Sequence, residues 1–214
     1  MANENMIPKA TERRMPLYYR YFKSECDKGT ERVSSKDISS ALQIDSATIR
    51  RDFSHFGELG RKGYGYNVSA LLDFFVEQLS GSSDRNVAVV GVGNLGSALL
   101  RYNFGNNLSK KIQLVAGFDI DSEIIGTSVG DYVVYDMKDF KKMVRKLKID
   151  IAILAVPKEE AINTLKKIEE AGIIGVMNFT PIHINSKDNL IVHDVDLTME
   201  LQSLLFKMKI SRGE

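Results

Sequence analysis

The 214-residue chain contains a single cysteine, Cys26, and no long apolar run, and its positive and negative charges nearly cancel. One cysteine excludes an internal disulfide and any metal site built from several thiolates. No segment reaches the ~18 consecutive apolar residues that a membrane-spanning helix needs, and the opening residues lack the apolar core of a signal peptide. We therefore expect a soluble, cytoplasmic protein with no membrane partner and no metal.

The near-neutral charge also limits how the chain could bind nucleic acid. A formal net charge of +1 provides no overall basicity, so any such binding must come from a local patch. The composition, 43% hydrophobic and 27% charged, is typical of a globular protein and argues against disorder. The length suits one large domain or two small ones.

A polar stretch, "LSGSSDRN" at residues 79–86, separates two differently patterned regions. It predicts a first domain at residues 1–80 and a linker at residues 81–86. The first domain shows short helical segments, then "RKGYGYNV", which is typical of a tight β-hairpin tip, then a last helix. This order is expected of a winged helix-turn-helix. Pro16 is either the first residue of the first helix or a kink within it.

Local signals in the first domain mark helix ends. Met15, Tyr19, Phe22 and Cys26 recur at helical spacing and predict the first helix, with Gly29 as its stop. Ser34 with Asp37 three residues later is typical of a capping box before the second helix. The third helix begins at a cap provided by Asp45 or Ser46 and is predicted to end at Gly57.

After the linker, apolar strands alternate with helices. The strand candidates are "NVAVVGV", "IQLVAGFDI", "DYVVY", "DIAILAV", "GIIGVMNF" and "NLIVHDV". Such near-continuous apolar strands predict a parallel sheet covered on both faces, an α/β fold of the Rossmann type at residues 87–195. The final segment, residues 196–214, predicts an amphipathic helix with Leu197, Leu201, Leu204, Leu205 and Met208 on one side.

A glycine-rich turn follows the first of these strands. Gly91, Gly93 and Gly96 form G-x-G-x-x-G between a strand and a helix, the pattern that binds a dinucleotide pyrophosphate. Asp119 lies 23 residues after Gly96, near the spacing of the acid that binds the ribose hydroxyls. A carboxylate there repels a 2′-phosphate and so favours NAD(H) over NADP(H). Asp121 is the competing candidate, and a turn without a ligand is the plain structural alternative.

Two further segments lie at predicted carboxyl ends of strands, where open α/β sheets bind ligands. They are "AVPKEEA", with Pro157, and "NFTP" at residues 178–181, although both also suit ordinary strand-ending turns. The full set predicted to bind the cofactor is Gly91, Val92, Gly93, Asn94, Leu95, Gly96, Asp119, Val156, Pro157, Asn178, Phe179 and Thr180.

We find no pattern that predicts a catalyst. A dehydrogenase needs a proton donor or acceptor with an orienting partner beside the nicotinamide. His55 belongs to the first domain, and neither His183 nor His193 has a carboxylate partner at helical or strand spacing. The second region also leaves no room for a substrate domain of the usual size. We therefore predict no catalytic residues.

The third helix, "SATIRRDFSHF", has two separate faces. Ile49, Phe53 and Phe56 form a buried stripe, and a second, polar stripe carries two arginines. Arginine can bind guanine O6 and N7 in a fork within the major groove. The predicted DNA-binding set is Ala47, Arg50, Arg51, Ser54 and His55, with Arg61 and Lys62 at the wing tip. The alternative is a solvated basic face, because residues 1–80 carry only 12 basic against 11 acidic side chains.

Across nearly its whole length the sequence resembles the Rex family of redox-sensing transcriptional repressors. The segments that carry the resemblance are "PLYYRYF", "SSALQIDSATIRRDFSHFGELGRKGYGYNV", "VGVGNLGSALLRY", "FDID", "AVP", "GIIGVMNFTP" and "VDLTMELQSLLF". The resemblance implies a homodimer that represses genes of fermentation and anaerobic respiration from a palindromic operator. It implies release from that double-stranded DNA on binding NADH, with NAD+ competing.

The same resemblance implies roles for three residues and for the last helix. The helix at 196–214 would be swapped into the partner subunit. Tyr102 would pair with Asp196 of the partner subunit in one conformational state, and Arg20 would compete for that aspartate when the domains rotate. Two other hypotheses stay open: a small NAD-dependent oxidoreductase, and a DNA-binding protein whose Rossmann domain has lost its ligand.

Overall fold

A computed structural model describes residues 7–60, 63–80, 84–102, 112–185 and 189–212. The chain divides into two compact units between residues 83 and 84. The first unit contains α1 (Lys9–Asp27), β1 (Arg32–Val33), α2 (Ser35–Leu42), α3 (Ser46–Ser54), β2 (Tyr66–Asn67) and α4 (Val68–Ser80).

Two helix starts in the first unit are confirmed. The Ser34 side chain accepts a bond from the Asp37 backbone, and the Asp37 carboxylate accepts one from the Ser34 backbone, which completes the capping box of α2. Asp45, not Ser46, caps α3, accepting from the backbone N–H groups of Ala47 and Thr48. Such caps satisfy N–H groups that have no partner inside the helix.

The first helix begins before Pro16, so Pro16 is not its first residue. Helix α1 runs from Lys9 through Pro16 to Asp27, so Pro16 lies inside it. Its buried side chains end at Phe22, and Cys26 lies exposed in the last turn. Tyr18 is fully buried in this helix, where its ring meets Phe53 and Phe75.

The predicted end of α3 is also corrected. The helix ends at Ser54, followed by His55 as its C-cap and by Gly57 at φ +95°. Phe56, predicted on the buried stripe, therefore lies beyond the helix and is half-buried.

The segment predicted as a tight hairpin tip is built differently. Its strand β2 pairs antiparallel with β1, with Arg32 opposite Asn67 and Val33 opposite Tyr66. The two strands thus pair residues that lie before α2 with residues that lie after α3. Turn signals act over a few residues and cannot reveal a pairing over this separation in sequence. The predicted tip residues Arg61 and Lys62 lie outside the described residues.

The described residues of the second unit form a seven-stranded sheet with helices packed on it. Its strands are β3 (Arg85–Val90), β4 (Ile112–Asp119), β5 (Ser128–Val129), β6 (Tyr132–Asp136), β7 (Ile149–Leu154), β8 (Gly175–Asn178) and β9 (Ile191–Asp194). Their spatial order is β5-β6-β4-β3-β7-β8-β9, with only the short β5 antiparallel to its neighbour. The six longer strands match the six predicted segments, and the predicted α/β class is confirmed. Their order is that of a dinucleotide-binding sheet, with the crevice beside β3 and β7.

The helices of the second unit are α5 (Asn94–Arg101), α6 (Phe140–Lys146), α7 (Lys158–Glu170) and α8 (Leu197–Arg212), with a 3-10 turn at Met137–Asp139. Residues 85 and 86, predicted as linker, belong to β3. Asn86 pairs with Ile149 there, and Arg85 donates to the Asp150 carboxylate at 3.1 Å.

Helix α8 is exposed along its whole length in the single chain. The predicted apolar side is present, but a second apolar stripe of Met199, Phe206 and Ile210 lies on the opposite side. The expectation of a one-sided amphipathic helix is therefore incomplete. A helix that is apolar on both sides is typical of one that becomes covered on both sides.

Candidate nucleotide cleft and DNA-reading surface

The glycine-rich turn connects β3 to α5, and two of its glycines are required by close packing. Gly91 has φ +91°, and a Cβ there would lie 2.6 Å from the Ala155 carbonyl oxygen. A Cβ on Gly96 would collide with the Gly91 carbonyl oxygen. These two glycines therefore allow the turn to form and allow α5 to pack against the strand.

Gly93 differs from both of them. Its φ is −69°, and a Cβ there would meet no atom within 4 Å. Nothing in the described fold itself needs glycine at this position. The open space lies at the start of α5, whose first N–H groups are suited to bind an anion. This is the space that a dinucleotide pyrophosphate requires.

The Asp119 carboxylate is directly bonded to this turn. One oxygen accepts from the Val92 N–H at 2.6 Å, and the other accepts from Ile120 at 2.7 Å and Asp121 at 3.0 Å. Asp119 thus fixes the end of β4 to the glycine turn while it stays beside the cleft. The Asp121 carboxylate also lines the cleft and accepts from the Glu123 N–H.

The turn opens onto a cleft of about 760 Å³, within the size range of sites for small molecules and cofactors. Six predicted residues besides Asp119 line it: Gly91, Val92, Gly93, Asn94, Val156 and Pro157. Gly96 lies buried under the turn, and Leu95 is exposed outside the lining. Among the lining residues not predicted are Ile120, Ile124, Val129, Met137, Glu160, Thr164 and Lys167. The sequence periodicity around these residues indicates strands and helices, but it does not indicate which side of each element faces the cleft.

Asn178, Phe179 and Thr180 do not line this cleft. Asn178 is fully buried, donating to the Ile182 carbonyl and to the Asp194 carboxylate, each at 2.8 Å. Its side-chain oxygen accepts from the backbone and hydroxyl of Thr180. Phe179 packs half-buried in the sheet core. The Asn178 side chain therefore links the ends of β8 and β9, and Thr180 bonds to that side chain.

His183 has a carboxylate partner that lies outside helical or strand spacing. Its Nδ1 lies 2.5 Å from Asp194, 11 residues later at the end of β9, and its Nε2 lies 3.0 Å from the Asn185 side chain. The hydrogen bond with Asp194 raises the pKa of His183 above its ordinary value. Burial alone would raise the pKa of Asp194, but the bonds from Asn178 and His183 outweigh it and lower that pKa.

In the first unit, α3 presents the predicted polar stripe to solvent. The side chains of Ala47, Arg50, Arg51 and Ser54 are exposed, and His55 is half-buried at the C-cap. The Arg50 guanidinium lies 3.2 Å from the Ser35 hydroxyl at the start of α2. This contact links the two helices of the helix-turn-helix on their exposed side. A cleft of about 700 Å³ beside α3 extends to Tyr66.

The opposite side of α3 carries a residue that the sequence interpretation missed. The Asp52 side chain is 3% exposed and accepts from Arg14 at 2.6 and 2.7 Å, Tyr18 at 2.5 Å and Thr11 at 2.9 Å. Burial alone would raise the pKa of Asp52, but these bonds outweigh it and hold that pKa below its usual range. Burial and the bond to Asp52 raise the pKa of Tyr18. No sequence signal paired a charged residue of α3 with α1.

The three residues with an implied switch role lie at helix surfaces or ends. Arg20 is exposed on α1, and Tyr102 is the C-cap of α5, with 60% of its surface exposed. Asp196 caps α8, accepting from the N–H groups of Thr198 and Met199. Among the described residues, no three His, Cys, Asp or Glu side chains are grouped to hold a metal ion. In that same part of the chain, no helix is both long and apolar enough to cross a membrane.

Two family models match the chain, one on each unit. Residues 6–54 match the model described as "Putative DNA-binding protein N-terminus". Residues 82–182 match the model described as "CoA binding domain". The first match covers α1 to α3, and the second covers the glycine turn and the cleft.

Two relatives are similar over almost the full length. The chain is 51% identical over 207 residues to the redox-sensing transcriptional repressor Rex of Staphylococcus haemolyticus, covering 97% of each protein. It is 49% identical over 209 residues to the protein of the same name from Staphylococcus aureus, covering 98% of each.

Two solved structures of RSP, named a Rex-family repressor, share the fold. The complex of RSP with beta-NAD+ and operator DNA superposes with a TM-score of 0.88 at 30% identity, covering 97% of this chain and 94% of that chain. The complex of RSP with beta-NADH has a TM-score of 0.86 at 29% identity, covering 97% and 96%.

Proposed function

The chain belongs to the Rex family of redox-sensing transcriptional repressors, and we propose from this that it is a DNA-binding repressor that senses the ratio of NADH to NAD+. One observation carries the proposal. A dinucleotide cleft and a helix with an exposed basic stripe occur in one chain, and its relatives match it over 97% or more of its length. The cleft receives the signal, and the helix reads the operator.

The cleft residues suit NADH and NAD+ as regulatory ligands. The open space at Gly93 fits a pyrophosphate, and the start of α5 supplies N–H groups towards it. The Asp119 carboxylate beside that turn disfavours a 2′-phosphate, so NADH is preferred over NADPH. The ligand acts here as a signal and undergoes no reaction.

Release from DNA needs a ligand that binds one state of the protein more tightly than the other. A symmetric dimer presents two copies of α3, whose spacing must match two half-sites of a palindrome. Shifting the ratio of the DNA-binding state to the released state from 99:1 to 1:99 needs about 5.5 kcal/mol of differential binding free energy. The two ligands of a dimer can share this amount. NADH supplies this difference and NAD+ competes for the same cleft.

We propose that α8 is exchanged between the two subunits of the homodimer. Its two apolar stripes both need covering, and the single chain leaves both exposed.

Within that dimer, Tyr102 pairs with Asp196 of the partner subunit in one state, and Arg20 competes for that aspartate in the other. Arg61 and Lys62 contact DNA beside the recognition helix. The proposed limits are residues 1–80 for the DNA-binding domain and 196–214 for the exchanged helix, and the Rossmann domain between them begins with β3 at Arg85 instead of the predicted residue 87.

A repressor must reach operator DNA, so we propose a cytoplasmic location. The carboxylate partner of His183 would also suit an oxidoreductase, but the relatives favour a repressor. Relatives that match the chain along its length are named repressors. The His183–Asp194 pair is accordingly assigned no catalytic role.

A mobility-shift titration tests the proposal. The purified chain should shift a palindromic duplex selected from a randomised pool, NADH should abolish the shift, and NADPH should do so much less. A chain lacking residues 197–212 should lose both the dimer in sedimentation and the shift. A shift that ignores NADH would overturn the sensing role.

A further inference from the structure

The buried carboxylate on α3 lies directly behind the DNA-reading face. Asp52 follows Arg51 in the chain, yet its side chain is 3% exposed whereas Arg51 is exposed. Successive residues of a helix point about 100° apart, so the direction of Asp52 determines the direction of Arg51. Whatever fixes the Asp52 side chain therefore also fixes the rotation of the reading face.

Within the described part of the chain, every side-chain donor to this carboxylate lies on α1. Thr11, Arg14 and Tyr18 lie three and four residues apart on α1, which places them on one face over two turns. Arg14 binds both carboxylate oxygens, one through Nε and the other through a terminal nitrogen. A bidentate contact of this kind is directional, unlike the apolar contacts of Ile49 and Phe53 in the same interface.

Stability alone is a weak explanation for such an arrangement. Replacing a buried ion pair with well-packed apolar residues is often neutral or stabilising. Recognition, in contrast, requires side chains to be held within about 0.5 Å of their working geometry. The hydrogen bonds from Thr11, Arg14 and Tyr18 to Asp52 are directional and meet that requirement for α3.

We propose that Asp52 is a positioning residue for DNA recognition, and that Thr11, Arg14 and Tyr18 lock α3 to α1 in the orientation that reads the operator. This inference rests on the proposed function. It adds a determinant of sequence specificity that contacts no DNA itself. Because Arg20 also lies on α1, the same lock joins the helix that carries this switch residue to the helix that reads bases.

The test compares affinities for two duplexes at one fixed ionic strength. One is the palindrome selected on the wild-type protein, and the other is a random-sequence duplex of the same length. Non-specific binding depends mainly on phosphate contacts, whereas specific binding depends on base contacts. The ratio of the two affinities therefore reports the orientation of α3 and is insensitive to the fraction of folded protein.

Asp52→Asn should lower this ratio by about tenfold or more, because one amide cannot accept from three donor side chains. NADH affinity should stay unchanged. Leu71→Ala, which removes a buried side chain of α4 in the same core, is the stability control and should leave the ratio as it is. A folded Asp52→Asn protein with the wild-type ratio would overturn the proposal.

Tyr18→Phe and Thr11→Val carry the test if Asp52→Asn fails to fold. Tyr18→Phe removes one hydroxyl and keeps the ring contacts with Phe53 and Phe75. Each variant should lower the ratio by about three- to tenfold. Wild-type ratios in both folded variants would leave Asp52 with a stabilising role only. If the wild-type protein selects no palindrome, the proposed function itself fails, which is a different result.

Discussion

The Asp119 carboxylate accepts a hydrogen bond from the Val92 backbone N–H at 2.6 Å, which joins the end of β4 to the middle of the glycine-rich turn. The residue expected to bind the ribose therefore also shapes the turn that receives the pyrophosphate. Changes at Asp119 should affect both functions together.

Asp119→Ala should weaken NADH binding and narrow the difference between the affinities for NADH and NADPH. The variant loses the Val92 contact and the negative charge that repels a 2′-phosphate. Loss of a charge-assisted bond corresponds to about 1.5–3 kcal/mol, measured by calorimetry with each dinucleotide. Asp121→Ala is the matched control; if it narrows the difference and Asp119→Ala does not, Asp121 recognises the ribose.

Gly93→Ala and Gly96→Ala should fail in different ways. Alanine at 93 meets no atom of the protein, so unfolding temperature should not change while NADH affinity falls, because the methyl group occupies ligand space. Alanine at 96 would press on the Gly91 carbonyl and should cost about 1–3 kcal/mol of stability. Thermal denaturation and calorimetry on both variants separate the effects. A fully active Gly93→Ala protein would count against pyrophosphate binding there.

Arg51→Ala should weaken operator binding by about 1–3 kcal/mol, the value of a bidentate contact to guanine. Its exposed side chain makes no contribution to the cleft, so NADH affinity should stay constant. Fluorescence anisotropy with the selected palindrome measures the loss. Lys146→Ala, an exposed cation on α6, is the control and should bind normally. If Arg51→Ala lowered the affinities for operator DNA and for NADH equally, the variant would be misfolded.

The His183–Asp194 pair predicts a pH-dependent contribution to stability. Because the pair raises the folded-state pKa of His183, the contribution is complete below about pH 6.5 and is lost as pH rises through the raised pKa. His183→Gln should therefore cost more stability at about pH 5.5 than at about pH 8.5. Denaturant unfolding at the two pH values checks this.

NMR titration of the His183 ring provides an independent check of that pair. Asp194→Asn should return the His183 pKa towards its ordinary value, since the charged partner is removed. An unshifted His183 in the variant would mean that Asp194 does not control its charge.

Short-range patterns predicted a large part of this protein. The six parallel strands follow from runs of apolar residues, and the capping box at Ser34 follows from spacing along one helix turn. The exposed face of α3 follows from its periodicity, with Arg50 and Arg51 pointing to solvent as predicted. Each of these features depends on residues within a few positions of one another.

The wrong or missing predictions share another property. Period alone places Phe56 on the buried stripe of α3, but that helix ends at Ser54, before Phe56 is reached. Ile124 and Met137 line the cleft without having been predicted, because their spacing does not identify which side of an element faces a ligand. Periodicity specifies which face of an element is apolar and does not specify which neighbour covers it.

The sequence by itself determined the two domain types, the glycine turn with its acid, and the basic stripe of the reading helix. Local backbone and spacing requirements produce these features, so they are visible one element at a time. Only the tertiary structure decided that Asp52 bonds to α1, 34 to 41 residues away, and that Asp194 bonds to His183. A buried charge takes whichever donors the packing of distant elements brings to it, and no local pattern records that choice.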